Sequence, residues 1–394
     1  MNIVLYEDYY NSLFTPLSTF HPIFDLYAGF TKIYQKAIFL KYFFKEKIDS
    51  ISYIARKNQL AYFLTKYNFD NPVYDYSDDV LFINSRLVDY LDLINLKINC
   101  AFVDENSEIL ALRVNKKLLA KLNPKSLFEH TQDAEILKSC QNVEKKPSLR
   151  YLFDIISNQQ KFIEQDITLF LLARGKEFRH KGKNLYIHPK AKIHPLTAIE
   201  PKDGLIVIDK DAQINAFTEL RGSCFIGAQT VVDRAYIHDN TTIGINCRIS
   251  GEIEESIISD YSNKHHTGFL GHSYLGEWVN IGAITTTSDL KNNYSNIKFN
   301  IRNNLIDSNQ IKMGSLFGDH VKCSIGLMIN CGTIIGECSV LFENPKNKTI
   351  PHARWGEDKH YDYTLLVKNI EKIMKRRNVT LTLEYINLIN ELYD

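Results

Sequence analysis

"IDKDAQINAFTELRGSCFIGAQTVV", residues 208–232, places Ile208, Ile214, Leu220, Ile226 and Val232 six residues apart without a break. An α-helix cannot hold that spacing on one face, because six steps of about 100° carry the sixth residue well off the apolar stripe. A triangular β-solenoid can. Each hexapeptide then forms one side of a coil with its aliphatic residue pointing inward, a small residue accommodates the turn, and ~18 residues close a coil. The same lattice runs through Ile187, Ile193 and Ile199, through Ile237, Ile243 and Ile249, through Phe269, Leu275 and Ile281, and through Ile329, Ile335 and Leu341. Gly227, Gly244, Gly276, Gly282, Gly336, Asp209 and Asn215 each follow one of these aliphatic positions. The pattern predicts a parallel β-helix of about seven or eight coils. Between Thr285 and His320 the lattice fails, and "NNYSN" and "NIRNNL" are rich in turn formers, which predicts a loop leaving the solenoid.

Outward from this stretch the composition changes. Of 18 glycines only Gly29 precedes position 175, and the other 17 lie between Gly175 and Gly356. That step sets three expected segments: an α/β domain over 1–175, a solenoid over 176–356 and a C-terminal part over 357–394. In the first, β-rich runs ("NIVLY", "VLFINSRLV", "INCAFV", "EILALRV") alternate with helical patterns ("FTKIYQKAIFLKYFFKEK", "SLRYLFDIISNQQKFIEQDI"), which predicts a Rossmann-like domain with a mostly parallel sheet. Ligands of such sheets sit at the carboxyl ends of the strands. In the last, "YTLLVKNIEKIMKRRN" and "TLEYINLINELYD" read as amphipathic helices capping the final coil.

With 47 basic and 46 acidic residues in 394, the formal charge of +1 offers no electrostatic reason for a nucleic-acid or anionic-membrane partner. Seven cysteines, odd in number and without a C-x-x-C pair, argue against a disulfide framework or zinc knuckle and for a reducing, cytoplasmic compartment. No basic leader and no uncharged apolar run of about 18 residues is present, so a soluble, unexported chain is expected.

The stretches "GEIEESIISDYSNKHHTGFLGHSYLGEWVNIGA", "TSDLKNNY", "GDHVKCSIG", "PHARWG", "LFDIISNQQKFIEQD" and "FINSRL" resemble a divergent branch of sugar nucleotidyltransferases with a hexapeptide C-terminal domain. That branch is akin to the bifunctional uridylyltransferase and glucosamine-1-phosphate acetyltransferase of UDP-N-acetylglucosamine synthesis. The resemblance implies a nucleotidyltransferase-like domain fused to a left-handed β-helix acyltransferase. It further implies a homotrimer that uses acetyl-CoA or another acyl-CoA, with a sugar-1-phosphate or nucleotide sugar and an NTP as partners in envelope glycan synthesis. The family signature H-x-x-[YF]-[LI]-G selects His266, ahead of Phe269, Leu270 and Gly271, as the general base. A neutral imidazole suits proton removal from an ammonium nucleophile, a role worth ~10²–10⁴-fold in rate. His265 and His272 are expected in supporting or structural places.

Arg248, Asn263 and Lys264 are the accompanying substrate-binding candidates. Stacked positions lie about 18 residues apart on an unbroken lattice, which sets Arg248 one rung from His266. Gly282 and Ala283 are candidates for oxyanion-stabilising N–H groups, and Gly326 and Gly332 for the groove of the acyl-CoA arm. Two departures from the better-known enzyme stand out: its sugar-phosphate-binding lysine falls on Glu254, and its Asn-Tyr pair is displaced, with Ser288 and Asp289 in that place. The first strand lacks the glycine-rich loop that lets backbone N–H groups approach a triphosphate, and His21 stands where the branch carries an arginine. Asp25, Lys36, Arg86 and Asp154 match the remaining N-terminal positions, the cations for phosphates and the aspartates for Mg²⁺. Ordinary surface charge accounts for each of these four taken singly. Two other readings use the same residues: a non-catalytic trimeric scaffold with a degenerate nucleotide-sugar-binding domain, and a metal-dependent hydratase built on His265, His266 and His272.

Overall fold

The computed structural model describes residues 1–44, 48–72, 79–182 and 184–393. The N-terminal sheet runs in the order Ser50–Ile54, Asn2–Tyr6, Val80–Asn84, Ile109–Val114, Cys100–Val103, Asn142–Lys145. Its first three strands are parallel, Ile109–Val114 is antiparallel to both neighbours, and Asn142–Lys145 runs parallel to Cys100–Val103. Strand residues alternate between the faces. Ile3, Leu5, Leu81 and Ile83 join one core cluster, while Val4, Tyr6, Val80 and Phe82 join a second on the other side. Both faces are covered, which is why these strands read as unbroken apolar runs.

From Leu185 onward the chain winds into a three-sided parallel β-helix. Nine short parallel strands, from Leu185–Ile187 to Thr349–Ile350, stack on one side among the described residues, and the eight turns between them agree with the seven or eight coils expected. Ile208, Ile214, Leu220, Ile226 and Val232 are all buried inside it. Coils vary in length. Ile206 pairs Cys224, Cys224 pairs Thr241, but Thr242 pairs Ile257, so the coils take 18, 17 and 15 residues. Tyr274 pairs Leu316 across the lattice break. The intervening chain forms the hairpin Lys298–Ile301/Asn304–Asp307, whose Phe299 stacks on Phe153 of the first domain at 5.2 Å.

The turns are built differently from the expectation. Asp211, Gln229, Asn246, Tyr261, Trp278, His320, Cys338 and Ala353 form one corner, all left-handed with φ between 50° and 63°, and none is glycine. The lattice glycines serve another need. A Cβ on Gly227 would lie 2.4 Å from the Gly244 oxygen, and one on Gly336 would lie 2.4 Å from the His352 nitrogen. Close approach of successive coils, not backbone conformation, demands them.

One side of the prism lies under the first domain. Val207, Phe225, Ile257, Tyr274, Leu316 and Ile334 point out of the solenoid yet are buried with Phe30 and Phe170 in a shared cluster. The C-terminal helices Tyr363–Lys375 and Leu383–Asn390 do not cover the last coil. Their Leu366, Ile370, Tyr385 and Leu388 run along the corner at Trp278, Cys338 and Ala353 and reach Phe20 and Tyr62 of the first domain. The final coil ends instead where Lys359–His360 folds back antiparallel on Arg354–Trp355. All seven cysteines are free thiols, and no described helix is long and apolar enough to cross a membrane.

Candidate functional site

At the carboxyl ends of Asn2–Tyr6, Val80–Asn84 and Cys100–Val103 the chain places Asp8, Arg86 and Asp104. Arg86, 1% exposed, donates from Nε to Asp8 at 2.6 Å and from a terminal nitrogen to Glu108 at 3.0 Å, with Asp104 at 3.6 Å. Its guanidinium stacks under Tyr10 at 4.4 Å. His130 bridges Asp8 (3.0 Å) and Asp133 (2.6 Å). Burial opposes its charge, but the bonds to those two carboxylates outweigh it and hold the ring up at about 9. Sequence reasoning found only Arg86 of this cluster. An acidic residue directly after a buried strand, as in "NIVLYED" and "INCAFVDE", was the available signal.

Lys36, Asp25 and Asp154 lie elsewhere. Lys36 is fully buried, with Nζ on Asp166 and on Thr31 Oγ1 (3.2 Å), tying the helix Ile33–Phe39 to Gln159–Arg174. Burial pushes this amine down. Asp154 accepts the N–H groups of Arg150 (2.7 Å) and Tyr151 (2.8 Å), capping the helix Leu152–Ser157. Asp25 sits at the domain boundary, accepting from Tyr67 Oη (2.6 Å) and Lys66 Nζ (3.1 Å) and bonded to His21 Nδ1 (2.7 Å). His21 Nε2 reaches across to Asp319 of the solenoid at 2.7 Å. Beside it Glu277 accepts from Lys32 (2.8 Å) and Lys66 (2.6 Å). Asp25 and Asp154 do not converge, and every oxygen bond just described comes from a cationic, hydroxyl or N–H donor. That donor set does not fit a magnesium ion.

His266 stands exposed at the corner between Asn263–Lys264 and Phe269–Gly271. Its ring lies edge-on to His265 at 5.3 Å. The Nδ1 atom of His265 is buried without a hydrogen-bond partner, and burial, then His266, pull this imidazole below its ordinary range. The corner is tight. A Cβ on Gly268, at φ 136°, would lie 2.2 Å from the Thr285 oxygen, and one on Gly251 would lie 2.7 Å from Lys264 Nζ. Lys264 occupies an inward lattice position, in register with Ile249 and Ile281. Its amine donates to the carbonyls of Ser250 (3.1 Å) and His266 (2.5 Å), and burial lowers it to about 8. Arg248 pairs with Asn263 and not with His266, because this coil takes 15 residues where 18 were expected. It donates to the carbonyls of Cys247 (2.7 Å) and Gln229 (3.2 Å).

His272 lies at the next corner, bonded to Asp289 (2.8 Å), so within one chain it does not converge with His265 and His266. Glu254 accepts from Lys312 at 3.0 Å. The Gly282 N–H donates to the Cys323 carbonyl at 3.0 Å, so it is spent on the coil ladder and cannot serve an oxyanion. The Ala283 carbonyl accepts from the Gly326 N–H at 2.8 Å. Gly326 is exposed with open space around it, while Gly332 lies under the hairpin, where a Cβ would come within 2.6 Å of the Lys298 oxygen.

Residues 3–175 match the family described as sugar nucleotidyl transferase. Over part of its length the chain is also similar to bifunctional nucleotidylyltransferase/acetyltransferases. A bifunctional sugar-1-phosphate nucleotidylyltransferase/acetyltransferase of Sulfurisphaera tokodaii is 31% identical over 136 residues, 34% of each chain. The bifunctional protein GlmU of Methanococcus aeolicus is 30% identical over 168 residues, 42% of this chain and 40% of that one. The chain thus spans between a third and two fifths of the length of these two relatives. Among solved structures, a perosamine N-acetyltransferase from Caulobacter crescentus is 14% identical over 54% of this chain and 74% of its own, with a TM-score of 0.17. A score that low has no bearing on the site.

Proposed function

We propose that this chain is an acyltransferase acting on an activated amino sugar, with an acyl-CoA as donor and His266 as general base. The observation that carries this is the exposed imidazole of His266, held on a glycine-tight solenoid corner whose carbonyl is anchored by the buried Lys264. The acetyltransferase activity named for the Sulfurisphaera relative supports the donor class. The acceptor amine loses a proton to the His266 ring and attacks the thioester carbonyl. The C–S bond then breaks, and the thiolate of the coenzyme leaves with the proton from the imidazolium.

The reading includes a homotrimer. Leu196, Phe217, Ile284 and Ile325 lie 59–74% exposed along the solenoid edge that holds the His266 corner, an apolar ladder suited to a second copy of the chain. The first domain, matched over residues 3–175 to sugar nucleotidyl transferases, is proposed as a nucleotide-sugar module of that kind; Arg86 and Lys36 spend their charge on carboxylates and are not its phosphate ligands.

The test is mass spectrometry of the purified protein with acetyl-CoA and a panel of amino-sugar 1-phosphates and nucleotide-linked amino sugars, alongside His266→Ala. An acetylated product lost in the variant is expected. No product from any acceptor would turn the reading to the scaffold alternative.

A further inference from the structure

The side of the solenoid that leads into the His266 corner carries Arg248, Asn263, Asn280 and Lys322 in register on successive coils. The end of the C-terminal helix Tyr363–Lys375 passes over it and leaves a cleft of about 580 Å³. Arg248, Lys322, Arg376 and Arg377 line this cleft, and no aspartate or glutamate does among the described residues. Three of these cations are held by neutral groups. Arg377 donates to the side-chain oxygens of Asn246 and Asn263, both at 3.0 Å, Lys322 donates to the Trp278 carbonyl, and Arg248 donates to two backbone carbonyls.

In the first domain three buried cations are paired with carboxylates. Lys32 meets Asp25, Asp260 and Glu277, Lys36 meets Asp166, and Arg86 meets Asp8 and Glu108. Here the reverse holds: burial first, then the neighbouring Arg377 charge, pulls Arg248 below its ordinary range. Clustered cations with no carboxylate among the lining residues are costly in a free protein and favourable once an anion arrives. Forked guanidinium donors match phosphate oxygens in particular, and the volume falls within the roughly 300–1,000 Å³ of small-molecule sites. The cleft adjoins the reactive corner. Asn263 lies on the strand that ends beside His265, and Arg248 is close enough to lower that imidazole further.

We propose that this cleft binds the phosphate groups of a phosphorylated substrate and holds it beside the His266 corner. The ligand's identity rests on the acyl-transfer reading; the anion site does not.

Isothermal titration of the full chain with inorganic pyrophosphate at neutral pH, for wild type, Arg248→Gln/Arg376→Gln and His266→Ala, separates the two. The wild type is expected to bind, the double variant to bind at least about tenfold more weakly, and His266→Ala to bind as the wild type does. Unchanged thermal midpoints without ligand confirm that the variants are folded, and a second pair, Arg376→Gln alone and Arg376→Glu, is expected to give a graded loss. No pyrophosphate binding to the wild type, or equal binding by the double variant, overturns the proposal. Coenzyme A and a nucleoside diphosphate sugar are then titrated in competition: the one that displaces pyrophosphate is the ligand whose phosphates the cleft holds, and displacement by neither overturns it. Arginine-dependent binding with no acyl transfer from any acceptor would sink the acyl-transfer reading and leave the cleft supported.

Discussion

Lys264 occupies a position that the lattice reserves for an aliphatic side chain, with Ile249 on the coil before it and Ile281 on the coil after. Its stem fills the core and its amine ties down two carbonyls, one of them that of His266. Burial lowers the amine from its ordinary 10.5 to about 8. A depressed lysine binds its proton more weakly in the folded state, so wild-type stability relative to Lys264→Met rises as pH climbs from about 8 to 10.5, by up to roughly 3 kcal/mol. Urea unfolding of both proteins at pH values on either side of that window measures the difference, and a constant gap would refute it. In acyl transfer, Lys264→Met is expected to lower kcat more than it raises KM, since the amine fixes the corner without meeting substrate. The histidine signature made this corner legible in the sequence. Asp25 and Arg86 were legible as charged positions, but their surroundings were not. Asp25 reaches Asp319 through His21, and Arg86 is closed by Asp8 and Glu108, contacts set by tertiary folding that no local spacing encodes.

At the scale of the element, the six-residue period revealed the solenoid but misassigned the reason for its glycines. Period reports which residues point inward; it does not report φ or the distance to the next coil. Gly227 has an ordinary φ and a neighbour 2.4 Å from its would-be Cβ, whereas Gly326 has φ 71° and open space. Gly227→Ala forces two coils apart and is expected to cost about 1–3 kcal/mol. Gly326→Ala meets only the left-handed backbone penalty, about 1 kcal/mol. Gln229 is exposed and left-handed at φ 60°, so Gln229→Gly removes strain and is expected to be neutral or stabilising by up to about 1 kcal/mol. Thermal unfolding ranks the three, and a larger loss for Gly326→Ala than for Gly227→Ala would contradict this account.

The whole molecule is held by a solenoid side that packs under the first domain. Apolar residues at outward positions, such as Val207, Phe225 and Tyr274, were the visible sign of a covered side, but a period alone does not say what covers it. At its edge the domains are joined by a buried charge network in which His21 bridges Asp25 and Asp319. Burial works against a charged ring there, yet the two carboxylates prevail and raise His21 from 6.5 to about 10. A raised folded value means the stabilisation is complete below about 6.5 and is lost as pH rises through about 10. The stability advantage of wild type over His21→Gln is therefore expected to shrink by a few kcal/mol between neutral pH and pH about 10, opposite in sign to the Lys264 effect. Asp319→Asn, which takes one carboxylate from the ring, should flatten that dependence while costing about 3–5 kcal/mol at neutral pH, because the remaining charges stay buried with one partner fewer. Chemical unfolding of the three proteins across this range measures both effects. If His21→Gln tracks the wild type at every pH, the histidine is neutral in the folded protein, and the polar tie between the domains rests on Lys32 and Lys66 against Glu277.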